Sequence, residues 1–246
     1  MIERYRDHLF GQLQRIADTQ ADAIRDAGRI VGDALASDGI LYGFGGGHAM
    51  LSVLDVFSRG GGLVPVSPLL APGVMLWDWP QTRAGRMEKE LDHFGDVLVE
   101  TSGMTGADVF VIVSTAGSIN VAIEAALRAK ALGVPVIGLT SVEWSREQTS
   151  THHSGQRLFE VVDLVIDSCG VRNYGAVLPV PGSAQGVGPT SSIAESFILQ
   201  SIVLEAVMRL TERGVDPPIL ISGHMPGATE HNTAVRERYR GRLKWF

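Results

Sequence analysis

The run Ala107-Asp108-Val109-Phe110-Val111-Ile112-Val113, followed at once by Ser114-Thr115-Ala116-Gly117-Ser118, decides how this chain is read. Unbroken β-branched and aromatic residues suit a buried strand, and the abrupt change to hydroxyls and glycine ends it. The apolar spacing over residues 119–132 then predicts a helix. Gly133 turns the chain into a second strand over 134–139, which ends in polar Thr140-Ser141. A strand that runs into a polar loop and then a helix, used twice, implies parallel strands joined by helical crossovers.

Working outward, Ile40-Leu41-Tyr42-Gly43-Phe44 reads as a strand entering Gly45-Gly46-Gly47-His48, with a helix expected over 49–57. Leu63-Val64-Pro65-Val66 and Leu164-Val165-Ile166-Asp167 read as further strands. Helices are expected over 5–35, where Tyr5, Leu9, Leu13, Ile16, Ile24, Val31 and Leu35 share one face, over 87–99, and over 190–213. Residues 67–83, with Pro68, Pro72, Gly73 and Pro80 around Trp77-Asp78-Trp79, read as a loop that covers a site. The tryptophans there could stack on the face of a ligand or anchor a subunit interface. The tail Arg236-Glu237-Arg238-Tyr239-Arg240-Gly241-Arg242 reads as a solvated helix whose last residues dock.

The 246 residues, 45% of them hydrophobic, fit one domain with a sizeable core, spanning 1–246 with an N-terminal helix near 5–38 and a C-terminal helical tail. A net charge of -6 without a basic stripe argues against nucleic acid and anionic membranes. No apolar segment reaches the roughly 18 residues of a membrane span, and the charged first turns do not resemble a secretion signal. Cys169, the single cysteine, allows no internal disulfide, so a cytoplasmic setting is expected.

Ligands of open α/β sheets sit outside the carboxyl ends of the strands. Here those ends are residues 45–48, 114–118 and 140–141, joined by Thr190-Ser191-Ser192 at the start of the last long helix. Hydroxyls and backbone N–H groups at helix starts cradle anions such as phosphate. Singly, Ser114, Ser118 and Thr190 read as helix caps, but together at one sheet edge they read as a ligand site. The glycine loop at 43–48 is not a dinucleotide fingerprint: His48 takes the place of the third glycine, and the next strand lacks the acidic residue that holds a ribose. His152-His153 suggests a metal only weakly, since neighbours on a strand point to opposite faces and no ligand set accompanies them. Neither a cofactor nor a metal is expected.

The chain resembles the sugar isomerase (SIS) domain family, and more closely its stand-alone UPF0309 branch of bacterial proteins. The resemblance is carried by Phe44-Gly45-Gly46-Gly47-His48, residues 61–66 and 114–124, Gly138-Leu139-Thr140-Ser141, His153-Ser154-Gly155, Gly188-Pro189-Thr190-Ser191, Glu230-His231-Asn232 and Tyr239-Arg240-Gly241-Arg242. It implies a three-layer αβα sandwich with a five-stranded parallel sheet, a homodimer or higher homo-oligomer, and a sugar or sugar phosphate held by serine and threonine loops. The residues so implicated are Gly46, Gly47, His48, Ser114, Thr115, Gly117, Ser118, Thr140, Ser141, Thr190 and Ser191. Ala116 and Ala49 stand where the family commonly has serine, which removes two hydroxyl donors. The family's isomerases share proton transfer between a glutamate and a histidine, for which Glu195, Glu124, His224 and His231 are the candidates here. The resemblance therefore implies an aldose-ketose isomerase-like enzyme, or alternatively a non-catalytic sugar phosphate sensor.

Overall fold

Five strands, β1 (Leu41–Gly45), β2 (Val66–Pro68), β3 (Val109–Val113), β4 (Val136–Thr140) and β5 (Leu164–Asp167), form one parallel sheet in the order β2-β1-β3-β4-β5. The computed structural model describes residues 1–77, 81–243 and 245, the side chains of 81–84 and 173–174 excepted. The central strand β3 pairs with β1 from Leu41↔Val109 to Gly45↔Val113 and with β4 from Phe110↔Val136 to Val113↔Leu139. Its residues alternate between two apolar layers: Val109, Val111 and Val113 face one, Phe110 and Ile112 the other. That two-sided burial is why the strand reads as a continuous apolar run. Each large side chain buried this way contributes about 1.5–3 kcal/mol.

The first layer holds α1 (Ile2–Thr19), α2 (Ala21–Leu35), α3 (Ala49–Asp55) and the long helix α10 (Ser191–Glu212). The second holds α4 (Gln81–Glu90), α5 (Phe94–Ser102), α6 (Asn120–Ala131) and the single turn α8 (Leu158–Val161). Short helices α7 (Val142–Glu147) and α9 (Arg172–Gly175) follow the ends of β4 and β5, and α11 (Ala228–Glu237) leads into the tail. Gly28 and Gly32 let α2 and α10 meet backbone to backbone: a Cβ at Gly28 would run into Glu205 Cβ and lie 3.1 Å from that residue's backbone carbon. Among the described residues no helix is long and apolar enough to cross a membrane.

Several expected elements are displaced. The helix read over 5–35 is two helices broken at Gln20 (φ -114, ψ 3), whose side-chain oxygen accepts from the Asp167 N–H at 3.0 Å and ties the break to β5. The strand expected over 63–66 begins only at Val66. Leu63 instead bridges antiparallel to Ile219, and the Val64 N–H donates to Pro218 O. The helix read over 87–99 is split around His93, which sits at φ 62. There the Glu124 carboxylate accepts from the His93 and Gly95 N–H groups at 2.7 and 2.9 Å, so a side chain from α6 starts α5.

His152 and His153 lie in a turn rather than on a strand, with ring centroids 4.1 Å apart and planes tilted by 38°, so the rings lie against each other and not on opposite faces. In the tail the helix ends at Glu237 and gives way to turns. Tyr239 and Leu243 are buried, Trp245 meets Phe57 edge-on at 5.8 Å, and Arg242 pairs with the fully buried Asp108 at 2.9 Å. Trp77 is exposed, while Asp78 and Trp79 lie outside the described residues.

Candidate functional site

The strand order places the reversal of chain direction between β1 and β3, where β1 leads out to β2 on one side and β3 leads on to β4. Crossovers on opposite faces diverge at such a point and leave a crevice beyond the strand ends. A cleft of about 590 Å³ occupies that position. Gly46, Gly47 and His48 line it from the end of β1, Val113, Ser114, Thr115 and Ala116 from the end of β3, and Pro189, Ser191 and Ser192 from the start of α10. Ile119 at the start of α6, Ala49 and Glu88 of α4 complete the wall. Hydroxyls, backbone amides and a few apolar surfaces around a volume of this size suit a small polar ligand.

Beneath the cleft lies Glu195, on the inward face of α10 and 1% exposed. The Thr115 hydroxyl donates to its Oε1 at 2.5 Å, and its buried Oε2 finds no partner among the described residues. Burial pushes this carboxyl up to about 7, against a smaller downward pull from the Thr115 hydroxyl. Glu88 shows the same behaviour on the wall: its Oε1 is buried without a partner among the described residues, and burial raises its carboxyl to about 7, partly offset by Lys89. Acids near neutrality can either give or take a proton, which is the property a proton-transfer site needs. Sequence reading missed Glu88. Its only local signal was a charged run on an amphipathic helix, Arg86-Met87-Glu88-Lys89-Glu90, which looks like a solvated face.

Of the residues singled out from sequence, Gly46, Gly47, His48, Ser114, Thr115 and Ser191 line the cleft, with Glu195 hydrogen-bonded to its floor. Several of the others hold the floor together. Thr140 Oγ1 donates to Thr115 O at 3.2 Å, and Ser141 Oγ to Gly170 O at 2.7 Å. Thr190 occupies the N-cap position of α10, yet its hydroxyl donates to Gln12 Oε1 at 2.7 Å and makes no cap. The Gln12 amide donates in turn to Ser168 O at 2.9 Å, so one buried glutamine from α1 joins the ends of β5 and α10. Gly117 turns at φ 62, and Ser118, which precedes the N-cap Ile119 of α6, accepts from the Thr151 N–H through its carbonyl at 2.9 Å.

Glu124, His224 and His231 are not among the residues that line the cleft. Glu124 has its carboxylate engaged at the start of α5 and by the Asn120 amide at 3.0 Å. His231 Nε2 lies 2.9 Å from Ile219 O, and His224 is exposed in the turn before α11.

Comparison with known proteins agrees with the fold. The SIS domain family matches residues 4–141. A UPF0309 protein of Geobacillus thermodenitrificans is 37% identical over 243 residues, covering 99% of this chain and 96% of its own. A UPF0309 protein of Streptomyces griseus is also 37% identical, over 98% and 95% of the two chains. Among solved structures, a phosphoheptose isomerase from Neisseria gonorrhoeae superposes with a TM-score of 0.55 at 18% identity over 85% of this chain and 97% of its own. One from Francisella tularensis gives 0.56 at 16% identity over 83% and 95%. At such identities the superpositions speak for the fold.

Proposed function

This chain belongs to the SIS domain family and matches its UPF0309 proteins over nearly its whole length; on that footing we propose that it binds a sugar or sugar phosphate between the ends of β1 and β3 and interconverts its aldose and ketose forms. The observation that carries this reading is Glu195, a buried carboxyl near neutrality, held by Thr115 at the floor of a hydroxyl-lined cleft. As a base it takes the proton from the carbon beside the carbonyl and returns it to the carbon that was the carbonyl. A hydroxyl proton crosses in the same sense, from the oxygen of the neighbouring hydroxyl to the former carbonyl oxygen, so atoms balance without any redox step. The Gly46 and Gly47 backbone and the Ser114, Ser191 and Ser192 hydroxyls orient the sugar. Negative charge on the enediol oxygens is favoured near the amino end of α10, where the helix dipole is positive.

A thermal-shift screen of aldoses and ketoses, free and phosphorylated, finds the ligand. Proton NMR of each hit in heavy water then reads exchange at the carbon next to the carbonyl. Deuterium uptake that is lost in Glu195→Gln while binding is kept supports the enzyme. Binding without uptake makes the chain a non-catalytic binding module, and no shift with any sugar refutes the proposal.

Assembly belongs to the same proposal. Ile193, Phe197, Leu204 and Met208 recur along one face of α10 and are 43%, 36%, 66% and 58% exposed. An apolar stripe of this kind on a helix is what a second copy of the chain would cover in a homodimer.

A further inference from the structure

Glu88 stands where an anionic ligand would be least welcome. Its carboxyl packs against the glycine loop after β1 so closely that a Cβ at Gly46 would run into Oε1, lying 3.0 Å from Glu88 Cδ and 3.5 Å from Ile119 Cδ1. Ile119 is the N-cap of α6, so the carboxyl and the side chain at the start of that helix border the same glycine on the cleft wall, and an anion drawn to the helix start would share the cleft with that carboxyl. That start is already partly closed, because the Asn120 N–H donates to Thr151 Oγ1 at 2.9 Å. The preceding loop offers Ala116 rather than a hydroxyl toward the cleft. A half-buried acid with an oxygen that has no partner among the described residues gains most from a ligand group that donates a hydrogen bond.

Resting on the sugar reading above, we propose that Glu88 is the specificity residue of the cleft: its carboxyl receives a hydroxyl or ammonium of the sugar, so that the cleft takes the unphosphorylated sugar in preference to its phosphate ester. Nothing in the reaction depends on this choice, since proton transfer at Glu195 needs only a carbonyl and a neighbouring hydroxyl.

The test is calorimetric titration at pH 8 with matched pairs: glucosamine and glucosamine 6-phosphate, fructose and fructose 6-phosphate, sedoheptulose and sedoheptulose 7-phosphate. Two like charges about 6 Å apart at an effective dielectric near 20 repel enough to change affinity by roughly a hundredfold, and screening reduces this. The wild type is therefore expected to bind the free sugar of at least one pair at least about tenfold more tightly than its ester. Glu88→Gln, which keeps the shape and removes the charge, narrows or inverts that ratio, and so does the smaller Glu88→Ser. A wild type that prefers the ester, or a ratio unchanged in both variants, overturns the assignment of Glu88 while leaving the sugar reading intact. A wild type that binds neither member of any pair overturns both.

Discussion

Replacing Glu195 by glutamine should make the protein more stable at alkaline pH and less stable by about 1 kcal/mol in acid. The carboxyl is 1% exposed and burial raises it from 4.5 to about 7. Below about pH 4.5 it is protonated in both folded and unfolded chains and costs nothing in linkage. Between 4.5 and 7 the unfolded chain releases its proton while the folded chain keeps it, so stability falls as pH rises. Above 7 the whole penalty is present, and a shift of this size amounts to roughly 3 kcal/mol. Glutamine carries no titration, and its side-chain oxygen can still accept from the Thr115 hydroxyl. Its buried amide costs about 1 kcal/mol, but does so at every pH. The difference between the two proteins should therefore grow by roughly 2 to 3 kcal/mol from pH 5 to pH 8.5, or about 5 to 10 °C in melting temperature for a chain of this size. Scanning calorimetry of both proteins at pH 5, 7 and 8.5 measures it, with Glu88 and every other titrating group cancelling in the comparison. A gap that stays constant with pH, or that turns against the variant at pH 8.5, would show that Glu195 is not a desolvated acid and would remove the basis for its role as a base.

Gly28→Ala should destabilise the fold by about 2 to 3 kcal/mol, since its Cβ meets Glu205 at the α2–α10 crossing; an unchanged urea midpoint would refute that packing. Arg242→Ala should cost about 1 to 2 kcal/mol by leaving the fully buried Asp108 to the Ile40 and Thr105 N–H groups and the Thr105 hydroxyl, a modest loss because the arginine is itself 44% exposed. Chemical denaturation at pH 7 decides it, and the same midpoint as wild type would mean that the tail is not anchored there. Leu204→Glu, on the exposed stripe of α10, should lower the mass measured by light scattering from that of an oligomer to that of a monomer, with secondary structure retained. A wild type that is already monomeric would sink the assembly proposal.

The legible part of the architecture was the part written in neighbouring residues. The apolar run at 109–113 fixed a two-sided central strand, and three-and-four spacing marked α6 and α10 to within a residue or two. Where a boundary depended on a distant partner, local reading failed. The break at Gln20 is held by a bond to Asp167, the start of α5 is made by Glu124, and residues 63–64 pair with 218–219 rather than with the sheet. In each case the group that decides the conformation lies tens to hundreds of residues away, beyond the reach of propensity or periodicity.

The same division runs through the site. From sequence alone came the hydroxyl-rich ends of the strands, the glycine loop, and a glutamate near the start of the last long helix. The order β2-β1-β3-β4-β5 then selected which of those ends face one cleft. Tertiary contacts sorted the hydroxyls into those open to a ligand, Ser114 and Ser191, and those bonded inward, Thr140, Ser141 and Thr190. Only the folded chain could raise Glu195 and Glu88 toward neutrality, because the charge state of a carboxyl is set by the water that burial removes and not by the residues beside it in sequence.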